Sequence, residues 1–163
     1  MIVSDSSTLI LLAKVSILDT FINNIKLKVI IPKKVHLECI IKDDRFDAKL
    51  IEERVKEGKI KVKEIKQQNL CLKLMQDFGI GAGEAEAITL CIEEKKSLIT
   101  DDKKAINICK IFHIGFTTAP NILVNLYKKK IITKEKTELS VKKLQLYGRY
   151  SQEIIQRIME EIK

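Results

Sequence analysis

Short β-branched runs alternate with longer amphipathic stretches along this chain, and that alternation constrains the fold more than any other feature. Strand-like runs occupy residues 2–4, 27–31, 59–65, 97–100 and 114–117, and one or two helical patterns separate each run from the next. Strands joined by helical crossovers pair in parallel and are covered by helices on both faces. The pattern therefore predicts an α/β domain with a mainly parallel sheet.

The spacing also predicts how the chain is divided. A length of 163 residues suits one domain, and no Pro-, Gly- or Ser-rich linker interrupts it. From Asn121 onward the pattern is helical, without a further strand. We predict an α/β part over residues 1–132 and a C-terminal helical extension over residues 133–163, packed on the same domain.

Charge and cysteine content narrow the class of protein. Thirty basic residues against 22 acidic ones give a net charge of +8, which favours a polyanionic partner such as nucleic acid. The four cysteines form no CxxC pair, which is typical of buried thiols in a reducing compartment. Asp5 interrupts the first apolar run, and no apolar stretch reaches the length of a membrane span. We expect a cytoplasmic protein without a membrane partner.

The acidic residues fall where strands end. Asp5 follows the first strand, and Asp101 and Asp102 follow the fourth. Because parallel strands present their carboxyl ends at one edge of a sheet, these carboxylates are expected to gather there. Glu38, in a largely apolar helical turn, and Glu84, which opens a helix after a glycine-rich loop, are positioned to join them.

Converging carboxylates predict a cation. Like charges at close range repel each other, so such a cluster persists when cations neutralise it. Oxygen ligands select hard divalent ions, here Mg²⁺ or Mn²⁺. Such ions activate water and stabilise the leaving oxygen in phosphodiester cleavage. The acidic edge therefore indicates metal-dependent hydrolysis of a phosphodiester.

Four short motifs, taken together, resemble those of a known family. The sequence reads IVSDSS with Leu9 and Ile10, then Ile31-Pro32 with Val35 and Glu38, then GEAEAI over 83–88, then LITDD over 98–102. This combination looks like the PIN domain, and more narrowly like its VapC-like branch in archaea and bacteria, which carries a GEAEA helix. The resemblance covers residues 1–132, and the tail over 148–162 also resembles the C-terminal helices of that branch.

The resemblance implies a fold, an activity and partners. It implies a three-layer α/β/α domain with a five-stranded parallel sheet in the order 3-2-1-4-5, followed by C-terminal helices. It implies a Mg²⁺- or Mn²⁺-dependent endoribonuclease that acts as the toxin of a toxin–antitoxin pair, bound by a small antitoxin protein and forming a homodimer. The implied acids are Asp5, Glu38, Glu84 and Asp102, with Asp101 as the alternative to Asp102; Ser6 and Thr100 would hold carboxylates in position.

Each acid also has a structural alternative. Asp5 suits a helix N-cap, as does one of the pair Asp101 and Asp102, and Glu84 suits the positive end of its own helix. Glu86 lies about 200° around the helix from Glu84 and is expected to pair with a cation instead. Residues 117–120 read TTAP where the VapC-like branch has a Gly-Thr-Leu-Gly type of turn, which affects substrate contacts rather than metal ligands.

The lysines near the strand ends suggest where RNA would lie. We expect phosphate contacts near the acidic edge from Lys103, Lys104, Lys128, Lys129 and Lys130.

Two rival functions stay open. The first rival is a degenerate PIN domain that binds RNA or acts as a scaffold. The second is a phosphotransfer domain, which the Asp5-Ser6-Ser7 sequence and the position of the acidic pair after the fourth strand argue against.

Overall fold

We describe the protein from a computed structural model, which covers residues 1–41 and 44–163. These residues form five strands and ten helices: β1 (Ile2–Ser4), α1 (Ser6–Lys14), α2 (Leu18–Asn24), β2 (Val29–Pro32), α3 (Lys33–Ile40), α4 (Phe46–Lys56), β3 (Ile60–Lys63), α5 (Gln68–Phe78), α6 (Ala82–Glu94), β4 (Leu98–Ile99), α7 (Lys103–Ile111), β5 (Phe116–Thr117), α8 (Ala119–Lys128), α9 (Lys134–Tyr147) and α10 (Gln152–Glu161).

The strands form one parallel sheet in the order β3-β2-β1-β4-β5. This confirms the predicted fold class and strand order. The central strand β1 is buried along its whole length, as expected for a strand covered on both faces. The lysine-rich β3 lies at one edge of the sheet, where alternate side chains reach solvent.

Two groups of helices cover the sheet. Helix α1 contacts α2, α4, α8 and α9, whereas α6 contacts α5, α7 and the strands β1, β2 and β4. Helix α3 contacts both α1 and α6 because it begins directly where β2 ends. The ends of β1, β2 and β4 and the starts of α1, α3 and α7 therefore lie along one edge of the sheet.

The structure differs from the sequence prediction in detail. Strands β4 and β5 have two residues each, and β2 begins at Val29 rather than at residue 27. The single helical pattern after β1 is divided into α1 and α2, which are bent by 106°. Ser16 has a φ of 63° at this break, a left-handed conformation that no continuous α-helix contains.

The C-terminal helices pack on the α/β part. Helix α9 contacts α1 and α8, and α10 contacts α8 and α9. The buried Ser140 hydroxyl donates to the Val15 carbonyl at 3.3 Å, which ties α9 to the end of α1. The division at residue 132 stays a prediction.

No single helix in the described part of the chain is long and apolar enough to cross a membrane. Helices α1 and α2 reach the required length and composition only when taken together across their bend.

Candidate active site at the acidic edge

Asp5 lies at the junction of β1 and α1. It is the N-cap of α1, and its Oδ1 accepts a hydrogen bond from the Thr8 backbone N–H at 2.8 Å. The residue is only 2% exposed. Its second oxygen, Oδ2, is buried without a hydrogen-bond partner among residues 1–41 and 44–163. A buried carboxylate oxygen in this situation carries a desolvation cost that a bound cation would offset.

Burial raises the pKa of Asp5 to about 6. Polar contacts with Thr100 and Thr8 lower this pKa, and the nearby charge of Asp101 raises it. The Thr100 contact does not complete a hydrogen bond to Oδ2. The charge of Asp101 therefore acts on Asp5, and the two acids follow neighbouring strands of the sheet.

Asp101 follows β4 and is held from two sides. Its backbone N–H donates to the Thr8 hydroxyl at 3.0 Å, and its carboxylate accepts from the Ala119 N–H at 3.2 and 3.3 Å. Ala119 is the first residue of α8, so the carboxylate lies at the positive end of that helix. Burial raises the pKa of Asp101, while contacts with Tyr150, Ala119 and Thr8 lower it.

Asp102 has a different environment. It is the N-cap of α7, and its Oδ1 accepts from the Ala105 N–H at 2.8 Å. The Thr100 hydroxyl accepts from the Asp102 N–H at 3.1 Å, so Thr100 positions the backbone of the acid pair. Of the two candidates, Asp101 is the one whose charge acts on Asp5, and Asp102 occupies the capping role that the sequence left open.

Glu38 reaches the same edge from α3. The Ser6 hydroxyl donates to Glu38 Oε2 at 2.6 Å, so the residue next to Asp5 holds this carboxylate. The Glu38 carboxylate also lies against Gly83 on α6, where an added Cβ would be 2.6 Å from Glu38 Cδ. Gly83 thus provides the space that the carboxylate occupies.

Glu84 lies at the start of α6, with its carboxylate turned back on its own helix. Glu84 Oε2 accepts from the Gly81 N–H at 2.9 Å, which is one half of a capping box. Within residues 1–41 and 44–163, Glu86 forms no ion pair of the kind expected. It accepts from the Lys34 backbone N–H at 3.0 Å, at the N-terminus of α3.

These positions give two neighbouring pairs rather than one closed cluster. Asp5 acts on Asp101, and Ser6 holds Glu38; within residues 1–41 and 44–163, no group of three or more His, Cys, Asp or Glu side chains is arranged to hold a metal ion. The donor set nevertheless fits a hard divalent cation. Its oxygens are carboxylates, one of them is buried without a partner, and Gly83 leaves room for Glu38.

The predicted RNA-contacting lysines separate into two places. Lys103 and Lys104 open α7 beside Asp102, and Lys104 Nζ donates to the Gly79 carbonyl at 3.0 Å. Lys128 is the last residue of α8, and Lys129 and Lys130 follow it; the ten residues of the helix carry these lysines about 15 Å from Asp101. Lys129 lines a cavity with Ile2, at the other end of β1 from Asp5, and Lys128 pairs with Glu161 at 2.6 Å. Of these five lysines, only Lys103 and Lys104 lie at the acidic edge.

Tyr150 is the residue at this edge that the sequence did not predict. It belongs to the connection between α9 and α10, and its hydroxyl is buried. Burial and the charges of Asp101 and Asp5 raise the pKa of the Tyr150 phenol. An aromatic residue two positions after the glycine that ends α9 was the available signal.

The sheet order, the helices on both faces and the strand-end aspartates define an α/β/α domain with an acidic carboxyl edge. A family model described as a PIN domain matches residues 1–163, and the chain belongs to that family. PIN domains are generally nucleases, and hence hydrolases. The searches of curated proteins and of solved structures gave no significant match. The predicted family is confirmed, and the VapC-like branch stays a prediction.

Proposed function

We propose that the chain is a Mg²⁺- or Mn²⁺-dependent endoribonuclease whose active site is the acidic edge. The observation that supports this most directly is the buried Oδ2 of Asp5, which has no hydrogen-bond partner among residues 1–41 and 44–163 and on whose carboxylate the charge of Asp101 acts. A carboxylate that is desolvated and next to a second carboxylate is suited to a cation. Membership in a family of nucleases and a net charge of +8 agree with an RNA substrate.

The acidic side chains of the site would have separate roles in the reaction. Asp5, Asp101 and Glu84 would hold the metal, with Asp102 as the alternative to Asp101. Bound Mg²⁺ or Mn²⁺ would supply Lewis acidity at the phosphate and lower the pKa of an attacking water. Glu38, aligned by Ser6, would complete the ligand set or accept the proton of that water. Cleavage would leave a 3′-hydroxyl and a 5′-phosphate.

Glu84 must change its conformation to take part. Its carboxylate now accepts from the Gly81 N–H, a contact on the first turn of its own helix. Releasing it costs at most about 1.5–3 kcal/mol, the net value of a hydrogen bond to a charged group, and less than that where the contact is exposed, as it is here. Direct coordination of a cation by the same carboxylate would offset this cost. Lys103 and Lys104 would contact the RNA backbone beside this site.

The biological setting that we propose rests on the resemblance to the VapC-like branch. There the chain would act as the toxin of a toxin–antitoxin pair, as a homodimer, and a small antitoxin protein would cover the acidic edge. A cytoplasmic location agrees with four free, buried cysteines.

The test is cleavage of labelled single-stranded and structured RNA with Mn²⁺ or with EDTA, by the native chain and by Asp5→Asn. Asparagine retains the N-cap hydrogen bond but removes the charge, so the fold is expected to survive while cleavage is lost. Asp77→Asn, an exposed position on α5, is the matched control and is expected to cleave normally. Cleavage that persists in EDTA or in Asp5→Asn contradicts the proposal.

A second candidate is an RNA-binding module without cleavage. The observation in its favour is that Glu84 is engaged with Gly81 and that, in the described part of the chain, the acids form no closed group of three. Tight RNA binding with no cleavage in Mn²⁺ or Mg²⁺ by the native chain would select this candidate.

A further inference from the structure

Thr8 connects the ends of β1 and β4 at the acidic edge. A backbone hydrogen bond from the Asp5 N–H to the Ile99 carbonyl, at 3.1 Å, joins the two strands where they end. Beyond this bond β1 turns into α1, and the Asp101 N–H donates to a side chain instead, the Thr8 hydroxyl, at 3.0 Å. Thr8 therefore extends the contact between the two strands past the end of the sheet.

The backbone of Thr8 is bound to the other acid of the pair. Thr8 is the third residue of α1, and its N–H donates to Asp5 Oδ1 at 2.8 Å. One residue thus contacts the carboxylate of Asp5 through its backbone and the backbone of Asp101 through its side chain. These two hydrogen bonds limit the separation of the two acids by geometry alone.

The surroundings of Thr8 keep its hydroxyl in place. The residue is 1% exposed, and a β-branched side chain in a helix has few χ1 rotamers to choose from. The other end of Asp101 is held as well, because its carboxylate accepts from the Ala119 N–H at 3.2 and 3.3 Å. Asp101 is thus fixed at its backbone by α1 and at its carboxylate by the start of α8.

We infer that Thr8 is a positioning residue of the active site, whose hydroxyl holds the Asp101 backbone and so sets the distance between the Asp5 and Asp101 carboxylates for a shared cation. The inference rests on the proposed function, because it assigns both acids to the metal. Thr8 would act through Asp101 and would contact neither the cation nor the RNA. Its N–H is a group that valine and alanine also offer to Asp5, whereas its hydroxyl acceptor is lost in both.

Four side chains at position 8 separate the hydroxyl from the methyl group. Thr8→Ser keeps the hydroxyl and loses the methyl, Thr8→Val keeps the shape without the hydroxyl, and Thr8→Ala loses both. The readout is the Mn²⁺ concentration that gives half-maximal thermal stabilisation, without RNA. Loss of a group that orients a metal ligand costs about 10- to 100-fold in metal affinity or activity. We expect the midpoint to rise by this factor in Thr8→Val and Thr8→Ala, and to stay near the native value in Thr8→Ser.

The matched control is Thr89→Val. Thr89 is a fully buried threonine on α6 whose hydroxyl has no hydrogen-bond partner among residues 1–41 and 44–163, so this variant is expected to keep the native midpoint. On an Asp101→Asn background, Thr8→Val is expected to shift the midpoint no further, because the carboxylate that Thr8 positions is already lost. In the cleavage assay at saturating Mn²⁺, Thr8→Val is expected to lower kcat and to leave the KM for RNA unchanged.

Three results would overturn the inference. The first is a native Mn²⁺ midpoint in whichever of Thr8→Val and Thr8→Ala folds, even if that variant melts at a lower temperature. The second is a shift in Thr8→Ser as large as in Thr8→Ala, since the methyl group and not the hydroxyl would then be responsible. The third is an equal shift in Thr8→Val with and without the Asp101 carboxylate.

The outcomes also distinguish this inference from the proposed function. Normal cleavage by the native chain with a native Mn²⁺ midpoint in Thr8→Val rejects the role of Thr8 and leaves the nuclease. A midpoint that depends on the Thr8 hydroxyl in a chain that cleaves no RNA supports the role of Thr8 and rejects the nuclease. A native chain without any response to Mn²⁺ rejects both.

Discussion

At the scale of single residues, Asp5 has two properties that oppose each other energetically. Its Oδ1 caps α1 through the Thr8 N–H, which stabilises the fold. Its Oδ2 is buried without a partner in the described part of the chain, which destabilises the charged form. In the absence of a cation, burial therefore shifts the balance toward the neutral acid and raises the pKa of Asp5 to about 6.

This conflict predicts how stability depends on pH. The pKa of Asp5 is about 6 in the folded chain against 3.8 for the ordinary group, so between these values the folded state binds the extra proton. Stability in EDTA is then expected to fall as the pH rises from about 4 to about 6 and to level off above that range, by at most about 3 kcal/mol. Burial also raises the pKa of Asp101, which acts in the same direction.

The measurement is chemical unfolding of the native chain and Asp5→Asn from pH 4 to pH 8 with EDTA. Asn keeps the cap and has no charge, so the variant is expected to match the native chain near pH 4 and to exceed it in stability above pH 6. Asp77→Asn serves as the control for losing one exposed carboxylate. Equal pH profiles for the native chain and Asp5→Asn would count against a strained, charged Asp5.

At the scale of secondary structure elements, α3 and α6 pack together, and the Glu38 carboxylate lies against Gly83 at their contact. Alanine is ordinarily favoured over glycine inside a helix, by about 0.5–1 kcal/mol. At position 83 the added Cβ would overlap the Glu38 carboxylate. The packing requirement and the helix propensity therefore oppose each other at this position.

We predict that Gly83→Ala displaces Glu38 from Ser6 and lowers cleavage by about 10- to 100-fold, the cost of disturbing a group that supports a metal site. The comparison is Gly81→Ala, where the Cβ would lie 3.7 Å from Glu84 Oε2, an ordinary contact. That variant is expected to lose about 0.5–1 kcal/mol of stability as a poorer N-cap, and to retain cleavage. Steady-state cleavage and thermal unfolding of both variants check this, and a Gly83→Ala chain with native activity would exclude an essential Glu38.

The same elements show what sequence can and cannot predict. The strands and their parallel pairing follow from hydrophobic periodicity and the helical crossovers, and parallel pairing puts Asp5 and Asp101 at the same edge of the sheet. The strand order itself was predicted from the resemblance to the PIN domain and not from the periodicity. The orientation of Glu84 does not follow, because a long side chain takes the nearest donor, here the Gly81 N–H. The left-handed Ser16 does not follow either, because hydrophobic periodicity continues across a helix bend. The burial of Tyr150 depends on how the C-terminal segment packs on the core, which the periodicity of that segment alone does not predict.

At the scale of the whole molecule, the acidic edge is a local exception to the positive net charge. The net charge is +8, yet the carboxyl edge of the sheet contains Asp5, Asp101 and Asp102. Lys103 and Lys104 are exposed next to these acids, at the start of α7. A polyanion attracted to the basic surface would thus meet a locally negative site. A cation bound there would neutralise the acids and remove their repulsion of the phosphates.

The salt dependence of RNA binding tests which lysines form that surface. Each phosphate contact with single-stranded RNA contributes about 0.7 to the slope of log K against log salt, so Lys103→Gln/Lys104→Gln is expected to reduce the slope by about 1.4. Lys61→Gln/Lys66→Gln removes the same charge from exposed positions around β3 and is expected to leave the slope unchanged. Fluorescence anisotropy in EDTA, which prevents metal-dependent cleavage, measures the binding of the native chain and of both double variants.

Substitution of residues 128–130 by Gln gives the contrary case. If this variant changes the slope more per lysine than Lys103→Gln/Lys104→Gln does, the RNA follows α8 away from the acidic edge, and the nuclease site proposed at that edge loses its support.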